Sequence, residues 1–509
     1  MRISPKLAAF VAVGALAIAA CGGGSDSGRA EVPVESGQIP TSTEGTASEP
    51  TTAETDPPAT EPEATTPPDT EPVPVEIGAV TDGDADGILN VPDEYPSIQA
   101  GVDAAMPGDL VLIAPGVYNE AVDVVTDEIV VRGLEREGVV LDGEFELDNG
   151  IRVLGAQGVA VENLTTQNYT DNGVFFTNAD GYRASYVTTY RIGDYGIYAF
   201  DSVNGQIENS YGAGSPDAGF YIGQCSPCNA VMDNVLSEHN GLGYSGTNAG
   251  GNLMIVNSTF RNNRAGIVPN SGSYELCYPQ RENMIVGNSI YSNNQPDTPA
   301  IDVALLAMGN GVVVAGGIGN TIERNLIYDH DKTGIALVPF LEEGANDDLP
   351  TEEEWELDCA EQRLEPLADE IPEQLLWESY DNVVRDNDIT DSRVADLGVE
   401  GVSELTGELR NCWSGNAGAS SAPADLETIA GCESEAVPAD DAAWTTSPLN
   451  VLQWLVDAET APPSVDYEIA ELPPIPDLDD MPDAATAPAE PATDMPRAVD
   501  LAAITTPAR

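Results

Sequence analysis

Three neighbouring stretches of the chain decide its fold: Asp171-Asn172-Gly173-Val174-Phe175-Phe176, Asp194-Tyr195-Gly196-Ile197-Tyr198-Ala199 and Asp217-Ala218-Gly219-Phe220-Tyr221-Ile222. In each stretch a glycine is followed by apolar residues at positions +1 and +3, and the glycines are 23 residues apart. Such alternation is typical of a β-strand that turns every second side chain toward a core. The sequence therefore predicts a repeat with one strand at each of these glycines.

The same glycine marker continues in both directions along the chain. Its members are Gly150, Gly173, Gly196, Gly219, Gly243, Gly266, Gly311 and Gly334. The interval is 23 or 24 residues except for 45 residues after Gly266, which predicts an insertion around 271–308. A second marker is an asparagine in a later strand-like stretch, where stacked amides can hydrogen-bond from coil to coil. These residues are Asn163, Asn209, Asn234, Asn257, Asn288, Asn325 and Asn387.

A unit of this length cannot bury its own apolar face, whereas stacked units can, and that is the principle of a solenoid. The period is too long for a hexapeptide left-handed helix. The sequence also has neither the leucine consensus of leucine-rich repeats nor the helix pairs of ankyrin repeats. We therefore predict an all-β fold, a right-handed parallel β-helix over residues 97–400.

The start of this region resembles the N-terminal cap of pectin-lyase-like β-helix proteins. Tyr95-Pro96-Ser97-Ile98-Gln99 leads into a short amphipathic helix that ends near Pro107, and 110–118 looks like the first strand. Residues 217–224 are similar to the parallel β-helix repeat proteins of bacterial envelopes, a lipoprotein subgroup without settled activity. The resemblance, over about 91–400, implies the fold and the helical cap but no reaction.

The N-terminus has the pattern of a processing segment. A basic start with Arg2 and Lys6 precedes a short apolar run over 7–17, too short for a transmembrane helix. The run ends in Ile18-Ala19-Ala20-Cys21-Gly22, which resembles a bacterial lipobox. We predict a lipoprotein signal peptide over 1–21, export, and a lipid on Cys21 that anchors the protein to the outer face of an envelope membrane. An ordinary signal peptide with a chance cysteine is the alternative.

Replacing the anchoring cysteine should release the protein from membranes. Cys21→Ala removes the thiol that would carry the diacylglycerol, so we expect the variant in the soluble fraction after cell disruption and a high-salt wash. If the variant still sediments with membranes, lipid is not what holds the native protein there.

Composition sets the remaining domain boundaries and excludes some partners. Residues 22–77 are rich in Thr, Glu and Pro, and 463–509 are rich in Pro, Ala and Asp; we predict a disordered tether and a disordered tail. Residues 401–462 form a C-terminal cap or extension, and 341–379 form an acidic insertion, either a lid or an inert excursion. With 19 cationic and 86 acidic residues, the net charge of −67 opposes binding to nucleic acid. We expect a monomer.

A short acidic motif indicates a calcium loop in the entry segment 78–96. Asp82-Gly83-Asp84-Ala85-Asp86-Gly87 matches the D-x-D-x-D-G start of such loops, and Asp93 is the twelfth residue. Pro92, and Asp93 in place of glutamate, depart from the EF-hand pattern, so we predict an isolated calcium loop. A chance match in an acidic chain is the alternative.

Six cysteines remain once Cys21 is set aside, which suits disulfides in an exported protein. Cys225 and Cys228, separated by two residues, predict a local disulfide; a zinc site would require a second such pair. Cys412 and Cys432 are the next predicted pair.

Two columns of residues form when the repeats are stacked. Asp148, Asp171, Asp194 and Asp217 stand two positions before the marker glycine, and Arg152, Phe175, Tyr198 and Tyr221 stand two positions after it. Both columns should point outward on the same face, as a row of carboxylates beside a flat platform of rings. We predict a polysaccharide groove built from Asp148, Asp171, Asp194, Asp217, Phe175, Tyr198 and Tyr221. The alternative is that Asp-x-Gly only serves turn geometry.

The sequence leaves two classes of function open. One is a surface-binding or display protein directed at carbohydrate. The other is a polysaccharide lyase or epimerase, with Asp194 and Asp217, or Lys332 beside His330, as candidate catalytic residues. The Gly-His-Gly and Asp-Pro-His motifs of enzymes with this fold are absent from the sequence, which favours the binding protein. A polar turn between coils is the alternative for Lys332.

Overall fold

A computed structural model describes residues 87–345, 374–401, 409–433 and 449–509. Each coil of the chain contributes one strand in turn to three long parallel sheets, called sheets I, II and III here. This arrangement confirms the all-β parallel β-helix predicted from the glycine spacing. Cys21, the segment 22–77 and Asp82, Asp84 and Asp86 lie outside the described residues, so the lipid anchor, the tether and the calcium loop stay predictions.

The strands of each sheet follow one another at the interval of the repeat. Sheet I contains Ile88–Val91, Leu110–Ile113, Val130–Gly133, Val159–Glu162, Asp180–Ser185, Val203–Glu208, Ala230–Asp233, Gly250–Val256, Arg281–Val286, Thr321–Glu323, Val383–Arg385 and Cys412–Ser414. Sheet II contains Gly116–Tyr118, Val139–Asp142, Thr165–Gln167, Thr188–Tyr190, Tyr211–Ala213, Leu236–Glu238, Thr259–Arg261, Ser289–Tyr291, Leu326–His330 and Asp388–Ser392. Sheet III contains Val122–Val124, Asn149–Leu154, Asn172–Thr177, Ile197–Phe200, Ala218–Gly223, Leu242–Thr247, Ala265–Asn270, Val312–Ala315, Thr333–Val338, Ala395–Val399 and Ser421–Ala422.

The core lies inside the coil and is formed by the alternate positions that the repeat predicts. In sheet III, Val174 pairs with Ile197 and Ile197 pairs with Phe220, all fully buried. The residues at +3, Phe176 and Ala199, are buried in the same interior cluster. Stacking in register therefore turns the pattern of one coil into a continuous apolar column.

A helix closes the N-terminal end of this core, as the resemblance implied. Helix Ile98–Ala104 begins at Ser97, whose Oγ accepts a hydrogen bond from the Ala100 amide at 3.1 Å. Ile98 and Val102 are buried against the first strands. The other helices of the described residues are Asp302–Ala307, Leu426–Ile429, Val451–Thr460 and the 3₁₀ turn Ala492–Asp494.

The two long insertions differ in how much of them is described. The insertion after Gly266 contains helix Asp302–Ala307, which packs on the outer side of sheet III. At the ends of the acidic insertion, Phe340–Glu343 pairs antiparallel with Gln374–Trp377. Residues 346–373 are not described, so the choice between a lid and an inert excursion stays open.

Ladders of hydrogen-bonded asparagines run from coil to coil. Some of the asparagines of the second marker take part in them, as predicted. Asn288, Asn325 and Asn387 form one buried ladder, in which the Asn325 Nδ2 donates to Asn387 Oδ1 at 2.9 Å. Asn234 instead lies at an exposed corner with a left-handed backbone and donates to Asn209 Oδ1 at 2.7 Å. The markers thus serve both buried ladders and turns.

The segment 463–509 is not the disordered tail that its composition predicts. It runs over the outside of the β-helix as an irregular chain with a few turns, and arginines from different coils donate to its main-chain carbonyls. The donor and acceptor residues are Arg264 and Pro463 (2.9 Å), Arg191 and Ala470 (2.7 Å), Arg132 and Ala487 (2.7 Å), and Arg324 and Ile504 (2.7 Å). Composition misled the prediction because arginines of the β-helix hold the main chain of this segment, while its few apolar side chains, such as Ile504, pack against sheet I. We call residues 463–509 the strap.

Corner glycines make room for the strap. A Cβ added to Gly181 would lie 2.4 Å from the Ala492 carbonyl oxygen, and one on Gly287 would lie 2.2 Å from the Ile504 side chain. Both glycines also have a positive φ, 81° and 71°. A larger residue at either corner would push the strap away from the coil.

The structure forms both predicted disulfides, Cys225–Cys228 and Cys412–Cys432. The first joins two buried cysteines in the loop before strand Ala230–Asp233. Within the described ranges, none of the helices has both the length and the apolar character that crossing a membrane requires.

Candidate functional site

The predicted aspartate column exists on the outer side of sheet III. The backbone amide of Asp171 donates to the Asp148 carbonyl at 2.8 Å, that of Asp194 to Asp171 at 2.8 Å, and that of Asp217 to Asp194 at 3.3 Å. Consecutive members therefore stand one strand spacing apart, about 4.8 Å. The geometry of the column was predictable because each member keeps the same place relative to its marker glycine.

The aromatic residues also stack in register, beside the aspartates. Phe175 pairs with Tyr198 and Tyr198 with Tyr221 along sheet III. The ring centroids of Phe175 and Tyr198 are 4.8 Å apart and nearly parallel, and those of Tyr198 and Tyr221 are 4.8 Å apart edge to face. These three rings do not belong to the interior core, so they point outward as predicted.

Tyr195 joins the cluster and was not predicted. Its ring stacks on Tyr198 with centroids 4.3 Å apart, and its hydroxyl donates to Asp217 Oδ2 at 2.6 Å. Position −1 is occupied by Asn172 and Ala218 in the neighbouring coils, so no aromatic column marks it in the sequence. This tyrosine links the aspartate column to the ring column.

The platform is not the flat exposed strip that the sequence predicts. Phe175 is 6% and Tyr221 is 1% exposed, whereas Asp171, Asp194, Tyr195 and Tyr198 are partly exposed. The insertion after Gly266 supplies Glu275, whose carboxylate accepts from the Tyr221 hydroxyl at 2.7 Å. Repeat spacing could not reveal Glu275, because the insertion has no counterpart in other coils. The open part of the site is therefore centred on Asp194 and Tyr198.

Burial shifts the pKa values of the acids at this site. It raises the pKa of Asp217 to about 7, against the opposing effect of the Tyr195 hydrogen bond. The pKa of Asp194 lies well above its ordinary value because of burial and then because of the charges of Asp217 and Asp171. Burial also raises the pKa of Glu275 to about 8. Asp217 and Glu275 can therefore exchange protons near neutral pH.

Asp148 differs from the rest of the column because an arginine neutralises it. Arg152 contacts Asp148 at 3.3 Å and Asp123 at 2.8 Å. Asp171, Asp194 and Asp217 form no salt bridge with any described residue. We call the set Asp171, Asp194, Asp217, Tyr195, Tyr198, Tyr221 and Glu275 the acid–aromatic face.

The structure does not bring His330 and Lys332 to this face. His330 is buried, its Nε2 lies 3.4 Å from Asn293 Nδ2, and burial lowers its pKa to about 3. Lys332 donates to the Leu306 carbonyl at 3.1 Å and lies 4.9 Å from the Trp454 ring. Lys332 occupies the column position of Asp217 four coils further on, under helices Asp302–Ala307 and Val451–Thr460.

The described residues show no metal centre at this face or elsewhere, in the sense of three or more His, Cys, Asp or Glu side chains placed to hold an ion. Asp93 is exposed in a turn after strand Ile88–Val91. The other predicted ligands of the calcium loop are not described, so calcium stays a prediction for that segment.

Comparison with known proteins supports the fold. Residues 149–339 match a family model described as right handed beta helix region. No curated protein sequence matches the chain.

Solved structures with a similar fold have low sequence identity to this chain. The A-module of a mannuronan C-5 epimerase from Azotobacter vinelandii is 15% identical, covers 65% of this chain and 92% of its own, and has a TM-score of 0.41. An alginate lyase from Paenibacillus is 16% identical, and the alignment covers 47% of this chain and 87% of the lyase, with a TM-score of 0.32. A surface adhesin of Streptococcus pneumoniae is 12% identical, and the alignment covers 64% of this chain and 88% of the adhesin, with a TM-score of 0.35. Likeness at this level carries no activity across. The match over residues 149–339 and the three parallel sheets show that the chain folds as a right-handed parallel β-helix.

Proposed function

We propose that the chain is an envelope-anchored β-helix lipoprotein that binds a polysaccharide at the acid–aromatic face. The observation that carries this proposal is the row of carboxylates without salt bridges beside two partly exposed, stacked tyrosines. The lipid on Cys21 and the tether over 22–77 are part of the proposal and come from the sequence. They would hold the β-helix at a distance from the membrane, where it can meet a polymer.

The two kinds of side chain at the face suit a sugar. The rings of Tyr195 and Tyr198 offer an apolar surface on which the C–H face of a pyranose can pack. The carboxylates of Asp171 and Asp194 can accept charge-assisted hydrogen bonds from hydroxyl groups of the same ring. Because the strands repeat at about 4.8 Å, neighbouring sugar units can meet neighbouring coils.

One observation favours an enzyme as a second candidate. Asp217 has a pKa near 7 and a tyrosine hydroxyl at 2.6 Å, a combination that can donate and accept protons at neutral pH. A lyase or epimerase would use it to move the proton at C5 of a uronate. An ultraviolet assay for unsaturated uronates detects a lyase, and deuterium uptake at C5 from heavy water detects an epimerase, with Asp217→Asn as the inactive control in both assays. A binding protein gives neither signal.

Removing the central ring of the face should weaken polysaccharide binding. We expect Tyr198→Ala to cost roughly 1–3 kcal/mol of binding, about five- to a hundred-fold in affinity, because the sugar loses its stacking surface. A glycan array identifies the ligand, and isothermal titration measures the change.

Tyr291→Ala is the matched control, because Tyr291 also stacks on a tyrosine, Tyr328, with centroids 4.8 Å apart, but on sheet II. Its affinity should equal that of the native protein. Equal losses in both variants, or no glycan bound by the native protein, would refute the proposed site. Thermal melting checks that Tyr198→Ala still folds.

A further inference from the structure

The acid–aromatic face contains carboxylate oxygens that the protein itself does not satisfy. Asp217 is only 7% exposed, and its Oδ1 has no hydrogen-bond partner, whereas Oδ2 accepts from Tyr195. No described residue donates a hydrogen bond to the side chains of Asp171 or Asp194. Buried acceptors without partners are rare in native proteins, so Asp217 Oδ1 requires an explanation.

The surroundings contain acids and phenols but no available cation. Glu275 faces the site from the insertion and Asp148 from the preceding coil, and Tyr467 of the strap lies close enough to interact with Asp171. Tyr274, next to Glu275, also interacts with Tyr198 and Tyr221. Arg152 interacts with Asp171 only from a distance, because its guanidinium group binds Asp123 and Asp148. A positively charged group is therefore what the face lacks.

The rings beside these acids also favour a positive group. Tyr195 and Tyr198 are stacked and partly exposed, and Tyr221 meets both rings edge to face, at 5.0 and 4.8 Å between centroids. A cation that lies against a tyrosine face is attracted by the electron-rich ring. Aromatic rings and carboxylates together are the surroundings in which proteins bind ammonium groups.

We propose that the acid–aromatic face binds an amino-sugar polymer through one of its ammonium groups, held between the carboxylates of Asp194 and Asp217 and the ring of Tyr198. This proposal rests on the proposed function and names its ligand class. The ammonium group has three N–H donors, enough for carboxylate oxygens of both Asp194 and Asp217. The net charge of −67 attracts such a polymer and repels polyuronates.

Calorimetry with two oligosaccharides of equal length tests this proposal on the full chain. Glucosamine oligomers carry free ammonium groups, whereas N-acetylglucosamine oligomers have the same rings without the charge. We expect the glucosamine oligomer to bind at least tenfold more tightly at pH 7 and low salt. Equal affinity of the two oligomers, or tighter binding of the acetylated one, would overturn the inference and leave the proposed function standing.

A second readout separates an ammonium site from a merely acidic surface. Asp217 must lose a proton to receive the ammonium group, because burial raises its pKa to about 7. Binding at pH 5.5, where the glucosamine amines are protonated, should therefore release protons. Titrations at pH 5.5 in two buffers of different ionisation enthalpy measure the release, and no proton release at that pH would contradict the inference.

Two variants locate the site. Asp194→Asn should weaken glucosamine-oligomer binding at least tenfold and leave N-acetylglucosamine binding unchanged. Asp391→Asn, an exposed acid on sheet II, should change neither. If the oligomer binds the Asp194→Asn and native proteins alike, attraction to the overall charge explains it. If calcium ions bind at Asp194 and the oligomer cannot displace them, the face is a metal site; either result overturns the inference.

Discussion

Replacing Arg132 with methionine should lower the free energy of unfolding by about 3–5 kcal/mol, because it leaves a buried carboxylate short of its partner. Arg132 and Glu162 have fully buried side chains, and Arg132 Nε lies 2.6 Å from Glu162 Oε2. Arg183 contacts the other Glu162 oxygen at 2.6 Å, so one arginine would remain for a carboxylate that has no access to water. Urea unfolding of the variant and the native protein measures the loss.

Two further variants separate the charge from the strap contact. Arg132 also donates to strap carbonyls, and these hydrogen bonds are lost in Arg132→Met. The double variant Arg132→Met/Glu162→Leu lacks the same hydrogen bonds but no longer contains the buried carboxylate of Glu162. We expect it to recover much of the stability. Arg497→Ala removes a half-exposed arginine near Glu208 and should cost less than about 1 kcal/mol. A double variant as unstable as Arg132→Met would assign the loss to the strap.

Replacing Asn325 with alanine should also cost about 3–5 kcal/mol, because four buried hydrogen bonds would be lost at about 0.5–1.5 kcal/mol each. Its Oδ1 accepts from the backbone and side-chain amides of Asn288 at 2.9 and 3.0 Å, and its Nδ2 donates to Ile285 O and Asn387 Oδ1 at 2.9 Å. One substitution thus disrupts both neighbouring coils. The same urea measurement applies.

Asn119→Ala is the control for the ladder. Asn119 is exposed and makes a single hydrogen bond, to the Asp142 carbonyl at 3.2 Å, so its loss should stay within about 0.5 kcal/mol. If Asn325→Ala is no less stable than Asn119→Ala, the asparagine ladder orders the coils without stabilising them.

What could be predicted from the sequence is what the repeat encodes. The spacing of Gly173, Gly196 and Gly219 gives the strand register. This register predicts the column of Asp171, Asp194 and Asp217 and the column of rings beside the aspartates. Glu275 could not be predicted, because a unique insertion carries no register. Tyr195 was missed for a related reason: its position holds an aromatic residue in one coil only.

The strap and the buried cations show a second limit of sequence patterns. Composition predicted disorder for 463–509, whereas the partners that order it are arginines more than 170 residues away along the chain. Nothing in the local sequence of Arg191 or Arg324 shows whether the arginine donates hydrogen bonds to strap carbonyls or lies in solvent. Likewise, the sequence allows Lys332 to be a catalytic candidate or part of a polar turn, and neither interpretation indicates that the Trp454 ring of helix Val451–Thr460 lies 4.9 Å from its ammonium group.

The course of the strap changes how the stack should respond to force. In a plain solenoid each coil contacts only its neighbours, so the ends can fray independently. Here one segment passes from the coil of Arg264 to that of Arg132 and returns past Arg324 to Asp391. Pulling on the C-terminus would break the hydrogen bonds between the strap and the β-helix one after another. The hydrogen bonds between the strands would come under tension only after the last strap contact had broken. The strap would thus dissipate mechanical work reversibly and protect the β-helix from unfolding.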